Sequence, residues 1–580
     1  MFRQDLDPVS NSLMASALIG LLPLLTIFVL LGVLRLKAHW AGLASLGVAI
    51  LVAITAFRMP VDLALLSASE GAVFGLFPIM WIVFNALWVY QLTVVSGRFE
   101  DLRASFSLVS DDPRIMAILI AFCFGGLLEA LAGFGAPVAI TGVMLMALGF
   151  SAFKAATVVL LANTAPVAYG AIATPILTAG TLTRIPYEDI GAVVGRQTPV
   201  LALFVPLMLV GMVDGKRGIR QTWPAAVVCG VTFGVAQFVS SNYISVELTD
   251  IIAALFAIAA VVAFLRVWHP AGTAEALADL RAETARDSGG AAGAGTANGS
   301  PVGARSAYGG GGVGSGDGGS TVVDAPAANR ELTTGRIGMA LLPYAVIIAV
   351  FSVARLVGPV RRVIAGTDQQ IDWPGLYGQV LTVAGAPQAS ARYNFQWLSS
   401  PGSLLLICGV LITVIYRIKP GTAAREYVTT AYKLRFAFLT VASVLALAYV
   451  MNQSGQTLTI GNWIAATGAI FALFSPILGW LGTAVTGSDT SANALFATLQ
   501  QSAAQRAGLD PTLLVAANTS GGVVGKMISP QNLTIAATAV GILGREGDLF
   551  RYLIKWSLAL IAFLCVLVYL QSTPVLGWML

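Results

Sequence analysis

Three ionisable side chains, Glu129, Asp489 and Lys526, stand inside stretches that are otherwise apolar. A charge is costly in lipid, so such residues are expected to pair, to line an aqueous cavity or to handle a substrate or ion. Lys526 is a candidate counter-ion for an anionic substrate. Glu129 and Asp489 are candidates for proton coupling, because a carboxyl in apolar surroundings takes up a proton more readily than one in water. The competing reading is a salt bridge from Lys526 to Asp489 or Glu129 that only holds the fold.

Uncharged polar residues interrupt the apolar stretches in a repeated pattern. Ala162-Asn163-Thr164, Gly170 and Pro175 recur, 355 positions later, as Ala517-Asn518-Thr519, Gly525 and Pro530. Interrupted hydrophobic segments at matching places in two halves point to the binding site of a transporter. Broken helices expose unpaired N–H groups with partial positive charge, which suit a small carboxylate. Asn163, Thr164, Asn518 and Thr519 can add side-chain hydrogen bonds. The alternative is that they merely join helices by packing. Gly133, Gly135 and Pro137, and in the other half Gly487, Ser488, Asp489 and Thr490, suit tight turns that let backbone approach a ligand. Ser488 or Thr490 would be the partner for a substrate hydroxyl.

The elements that must hold these residues are helices. The chain has 580 residues, 57% hydrophobic and 11% charged. A soluble domain carries about 25% charged residues, so this is a polytopic membrane protein. Apolar runs of about 20 residues recur without alternation, as helices require and barrel strands do not. Full spans are expected near 13–35, 39–57, 74–96, 153–180, 190–213, 219–242 and 250–267, then 337–355, 401–418, 436–452, 511–541 and 552–571, about twelve in all. The first is read as a retained span and not a cleavable signal. Segments 61–73 and 423–435 are candidate interfacial helices. Arg196 is expected to snorkel.

Segments 115–150 and 463–500 each carry a central break. Treated as re-entrant hairpins, they put most Lys and Arg on one side of the membrane, whereas full crossings do not. Each half then has an odd number of crossings, and the second enters the bilayer inverted relative to the first. The fold expected is all-α, with inverted repeats, two re-entrant hairpins and two broken helices. It divides into a first repeat (1–213), two connecting spans (214–269), a Gly- and Ser-rich disordered cytoplasmic linker (270–335) and a second repeat (336–580).

Several function classes are disfavoured. The four cysteines lie in apolar segments without metal-ligand spacing and read as small core residues. Two histidines, both at span edges, argue against a histidine relay or a histidine-held metal. No cofactor and no nucleic-acid partner are expected, since the net charge of +5 reflects basic residues at span ends. No nucleophile–base motif supports a membrane-embedded enzyme.

Four stretches resemble the L-lactate permease family: GGLLEALAGFGAPVAITG (125–142), LLANTAPVAYGAIATP (160–175), TGSDTSANALF (486–496) and AANTSGGVVGKMISPQN (516–532). The resemblance covers nearly the whole chain apart from the linker. It implies a bacterial inner-membrane permease for lactate or glycolate that works as a proton symporter, with a fold of inverted repeats and hairpins. The site list rests on the residues themselves. The partners expected are a small organic anion, a coupling proton or else sodium, the lipid bilayer and conceivably a second copy of the chain.

Overall fold

The computed structural model describes residues 1–34, 36–106, 109–133, 135–291 and 333–580. Among these, nine helices are long and apolar enough to cross a bilayer, or ten if the bent pair Ala152–Ala162 and Val167–Thr183 is one span. The nine are not a subset of the expected twelve: Pro113–Leu131 and Gln456–Thr486, which overlap the two segments read as re-entrant hairpins, are each long enough to cross, whereas 511–541 is divided into Pro511–Lys526 and Pro530–Ala539 and does not qualify. Tyr187–Val239 is two helices that fold back on each other at Asp214–Gly215, where Thr198 Oγ1 donates to Gln237 and Gly234 lies against the Pro199 carbonyl, so it holds two of the expected spans. Thr249–Phe264 and Pro401–Ile415, of 16 and 15 residues, fall short of the usual spanning length.

Of the two candidate interfacial helices, 423–435 is continuous with the span after it in the 35-residue helix Pro420–Ser454. The other, within Val61–Phe74, is separated from Trp81–Val95 by a break at Phe77, where the backbone leaves helical geometry. Ala38–Thr55 and Val61–Phe74 pack against Pro420–Ser454, and Trp81–Val95 packs against Pro401–Ile415.

The expected breaks lie in other helices. In the first half, the helix ending at Ala132 turns through Gly133 and Gly135, at φ 38° and 85°, into Ala136–Ala147. A side chain with a Cβ seldom adopts these backbone angles, so the turn is written by its glycines. In the second half, Phe471–Thr486 turns through Gly487 at φ 76°, and Ser488 caps Asp489–Ala507 by accepting from the Ser491 amide. The two halves of the sequence interlock reciprocally. Gly170–Thr183, from the first half, packs on the second hairpin arm Asp489–Ala507, and Pro530–Ala539, from the second half, packs on the first hairpin arm Ala136–Ala147.

Two expectations need correction outside the bundle. Thr273–Ala291, assigned to the linker, is a helix. It is rich in Ala, Leu, Glu and Arg, good helix formers. Leu280 is buried and Thr284 Oγ1 donates to the Gly149 carbonyl at 2.7 Å. Residues 292–332, the rest of the expected linker apart from its two flanks, lie outside the described residues. The all-α expectation also misses short strands between Gly358 and Ser400: Gln369–Asp372 pairs antiparallel with Arg392–Phe395, and Val380–Leu381 pairs in parallel with Phe2–Arg3.

Candidate functional site

The repeated Asn-Thr segment folds differently in its two copies. In the first, Ala152–Ala162 stops at Asn163, and the chain bends by 67° before Val167–Thr183 resumes. In the second, Pro511–Lys526 runs unbroken through Asn518 and Thr519, and the interruption falls at Met527–Ser529. The cause is local. Pro166 follows the first Asn-Thr pair, removing a backbone donor and disfavouring helix before it. Gly521 stands at the matching place in the second copy, and the next proline is Pro530.

Their side chains differ accordingly. Asn518 Nδ2 and Thr519 Oγ1 both donate to Asn493 Oδ1, each at 3.0 Å, and Gln500 Nε2 donates to Asn518 Oδ1 at 3.4 Å. Asn493 and Gln500 lie on the second hairpin arm, so this pair clamps that arm to its neighbour. Asn163 Oδ1 and Thr164 Oγ1 are buried without a hydrogen-bond partner.

Lys526 pairs with Glu129. Nζ lies 2.5 Å from Oε1, and the residues are 6% and 2% exposed. Glu129 Oε2 has no partner. A Cβ on Gly170 would stand 2.8 Å from Glu129 Oε1, so the carboxylate rests on the backbone just past the first break. Asp489 is 3% exposed. Its Oδ1 accepts a long 3.4 Å bond from Thr483 and lies against Gly522, one helical turn before Lys526, and its Oδ2 has no partner. The three ionisable residues singled out from sequence therefore share one electrostatic neighbourhood.

Both hairpin turns reach the second break. The space beside Gly135 is occupied by Ile535 and Asn532, and that beside Gly487 by Gln531. Gly133 lies against Ala171. Ser529 caps the ten-residue helix Pro530–Ala539, and Asn532 Nδ2 donates to the Lys526 carbonyl at 3.1 Å. Two glycine turns, the positive end of a helix and the Lys526 ammonium thus converge. Ser488 is spent partly on its cap, and Thr490 is buried beside it. A cavity of about 340 Å³ lies elsewhere, lined by Lys154, Asp214 and Asp279 where the Thr273–Ala291 helix meets the bundle.

An L-lactate permease family model matches residues 16–575. The chain belongs to the L-lactate permease family. As a member of a permease family it is a multi-pass membrane transporter and not an enzyme. It is 41% identical to the L-lactate permease of Bacillus subtilis strain 168, over the full length of both chains. It is 42% identical to the glycolate permease GlcA of Escherichia coli K12, over 96% of each. Among solved structures, the YdaH transporter of Alcanivorax borkumensis aligns over 87% of each chain at 14% identity with a TM-score of 0.41.

Four buried polar groups of this permease were not singled out in the sequence. Asn493 and Gln500 belong to the clamp. Asp250, fully buried on Thr249–Phe264, accepts from Gln237 through Oδ1 and leaves Oδ2 unpartnered. Glu70, fully buried on Val61–Phe74, accepts from Gln453 through Oε2 and leaves Oε1 unpartnered. Asp250 stands at the start of an apolar run and Glu70 in a segment read as interfacial, so each looked like a boundary charge. Arg196 does not snorkel freely: it donates to Asn242 and to the Met579 carbonyl.

Proposed function

We propose that this permease takes up small 2-hydroxymonocarboxylates, L-lactate foremost and glycolate next, across the bacterial inner membrane by proton symport. The observation that carries this reading is the Glu129–Lys526 pair, with one Glu129 oxygen left unpartnered. A substrate carboxylate attracted to Lys526 and to the N-terminus of Pro530–Ala539 competes with Glu129 for the ammonium. Glu129, deprived of its cation in a dry site, then takes a proton. Before loading, Lys526 and Glu129 sum to zero. After loading, Lys526 and the substrate sum to zero and Glu129 is neutral. The loaded carrier therefore moves no net charge through low dielectric, where an unpaired charge costs several kcal/mol. Asn163, Thr164, Ser488 and Thr490 supply polar contacts for the 2-hydroxyl. The printed names of the L-lactate and glycolate permeases, both over 40% identical, support the substrate class.

Alternating access would move the hairpin-bearing body against the long helices. The reciprocal packing of hairpin arms and post-break helices supports halves related by inversion. Ala136–Ala147 has 12 residues, about 18 Å of helix, against a hydrocarbon core of about 30 Å. That supports a re-entrant arm.

A second reading keeps the substrate and changes the ion. Asn163 Oδ1 and Thr164 Oγ1 are unpartnered oxygens at a half-helix C-terminus, the kind of place where transporters coordinate sodium. Uptake of labelled L-lactate into proteoliposomes separates the two. Proton symport predicts uphill uptake driven by an inward proton gradient and abolished by an uncoupler, without sodium. Uptake that ignores the uncoupler and requires sodium favours the second reading. Flux that never runs uphill refutes both.

A further inference from the structure

We propose that Asp250 is the carboxyl that exchanges the coupling proton with Glu129, an inference that rests on the proton-symport reading. Asp250 lies outside both repeats, on one of the two connecting spans. Its helix, Thr249–Phe264, packs against Gly125–Ala132, which carries Glu129. Each of the two carboxyls keeps one buried oxygen without a hydrogen-bond partner.

The surroundings of Asp250 suit a group that holds a proton and releases it. It is 0% exposed. Gln237 Nε2 donates to Oδ1 at 3.0 Å, and Gln237 Oε1 in turn accepts from Thr198 Oγ1 at 3.2 Å, so one oxygen is held by a neutral, ordered chain. Oδ2 has no hydrogen-bond partner. Glu247, buried three residues before Asp250, accepts from Tyr187 and Ser245. Glu129 comes from Gly125–Ala132, already claimed by Lys526. Cys123 and Cys229 face each other, 3.4 Å apart. Tyr169, in the first break, donates its hydroxyl to the Gly191 carbonyl at 2.7 Å. Tyr243, in the adjoining turn, is largely exposed. No Lys or Arg hydrogen-bonds Asp250 among the described residues. A carboxyl so placed is stable as the neutral acid.

When substrate takes Lys526, the Asp250 O–H bond breaks, an O–H bond forms on Glu129, and Asp250 is left as a carboxylate held by the Gln237 amide. It regains a proton from the aqueous phase. Both acids are then neutral and the substrate sits on Lys526.

Asp250→Asn tests this, because asparagine keeps an oxygen for Gln237 Nε2 but cannot hand over a carboxylic proton. Lactate counterflow exchanges loaded carrier without requiring proton release. We expect counterflow within about twofold of wild type and uptake driven by a proton gradient at least tenfold lower. Equal losses in both assays, or loss in neither, overturns the role of Asp250. Wild-type uptake that is indifferent to the proton gradient overturns the symport reading instead. A measurement on the wild-type protein covers a variant that fails to reach the membrane. Dicyclohexylcarbodiimide attacks protonated carboxyls in apolar settings, and peptide mass mapping should find it on Asp250 with uptake blocked in proportion. An unlabelled Asp250 in protein whose uptake is blocked overturns the proposal.

Discussion

The Lys526 ammonium and the Glu129 carboxylate, 397 positions apart, meet at 2.5 Å in the interior of the bundle and tie the second break to the first hairpin. Each comes from a different half of the chain. The pair is therefore a structural joint between the halves, and Glu129 is the partner that a substrate anion attracted to Lys526 would have to displace.

This joint should show strong non-additivity. Glu129→Leu leaves Lys526 buried without a partner and should destabilise the protein by about 3–5 kcal/mol. Adding Lys526→Met removes the orphaned charge and should restore most of that stability. Neither variant should transport. Thermal unfolding in detergent, paired with uptake assays, checks both halves of the statement. A double variant no more stable than Glu129→Leu would contradict it.

The two asparagines of the repeated motif should separate in their effects. Asn518→Ala strips partners from Asn493 and Gln500 and should cost about 1–3 kcal/mol of stability. Asn163→Ala removes an oxygen that has no partner within the protein. It should leave the melting temperature nearly unchanged while raising the KM for lactate several-fold. Melting curves and uptake kinetics on the two variants give the comparison.

Backbone contact between Phe471–Thr486 and Pro511–Lys526 depends on glycine. A Cβ on Gly521 would collide with the Pro476 carbonyl, a rigid neighbour. Gly521→Ala should therefore abolish stable expression or lower stability by about 1–3 kcal/mol or more. Gly47 stands on an exposed helical face with nothing within 4 Å of its Cβ position. Gly47→Ala should stabilise by about 0.5–1 kcal/mol. Detergent melting temperatures would reveal an equal response if this packing were irrelevant.

At the start of the first hairpin, Arg114 donates to both Asp112 oxygens, at 3.0 and 2.7 Å, and to Asp214 at 3.1 Å; Thr273 donates to Asp112 at 2.8 Å. Burial alone would push the Asp112 carboxyl up, but these hydrogen bonds outweigh it and hold it below the ordinary carboxylate value. A lowered value in the folded state adds stability that is complete above the unfolded pKa of about 3.9 and is lost as pH falls through the folded value. This contribution should stay constant from neutral pH down to about 5. Asp112→Asn should be less stable at neutral pH and should lose less on acidification. Melting temperatures across the acid range, wild type against variant, test the sign.

Much of the site could be read from residue types alone. Gly133, Gly135 and Gly487 do form the turns, because positive φ is a property of the residue and its immediate chain. Glu129, Asp489 and Lys526 do gather, because charges inside apolar runs have few places to go. Even the unequal breaks had a local signal, Pro166 against Gly521, that the matching Asn-Thr pairs concealed. The helix at Thr273–Ala291 was likewise present in its composition but hidden by the Gly-rich residues after it.

Only the packing of distant segments decided the rest. Nothing near Lys526 in the chain says that Glu129 and not Asp489 holds it, since that choice depends on how two hairpins seat against two broken helices. The same holds for Asp250 and Glu70, which look like boundary charges until neighbouring helices enclose them. Local sequence sets backbone angles and the cost of burying each side chain. Which polar atom finds a partner, and which is left to bind something else, is fixed by contacts between residues hundreds of positions apart.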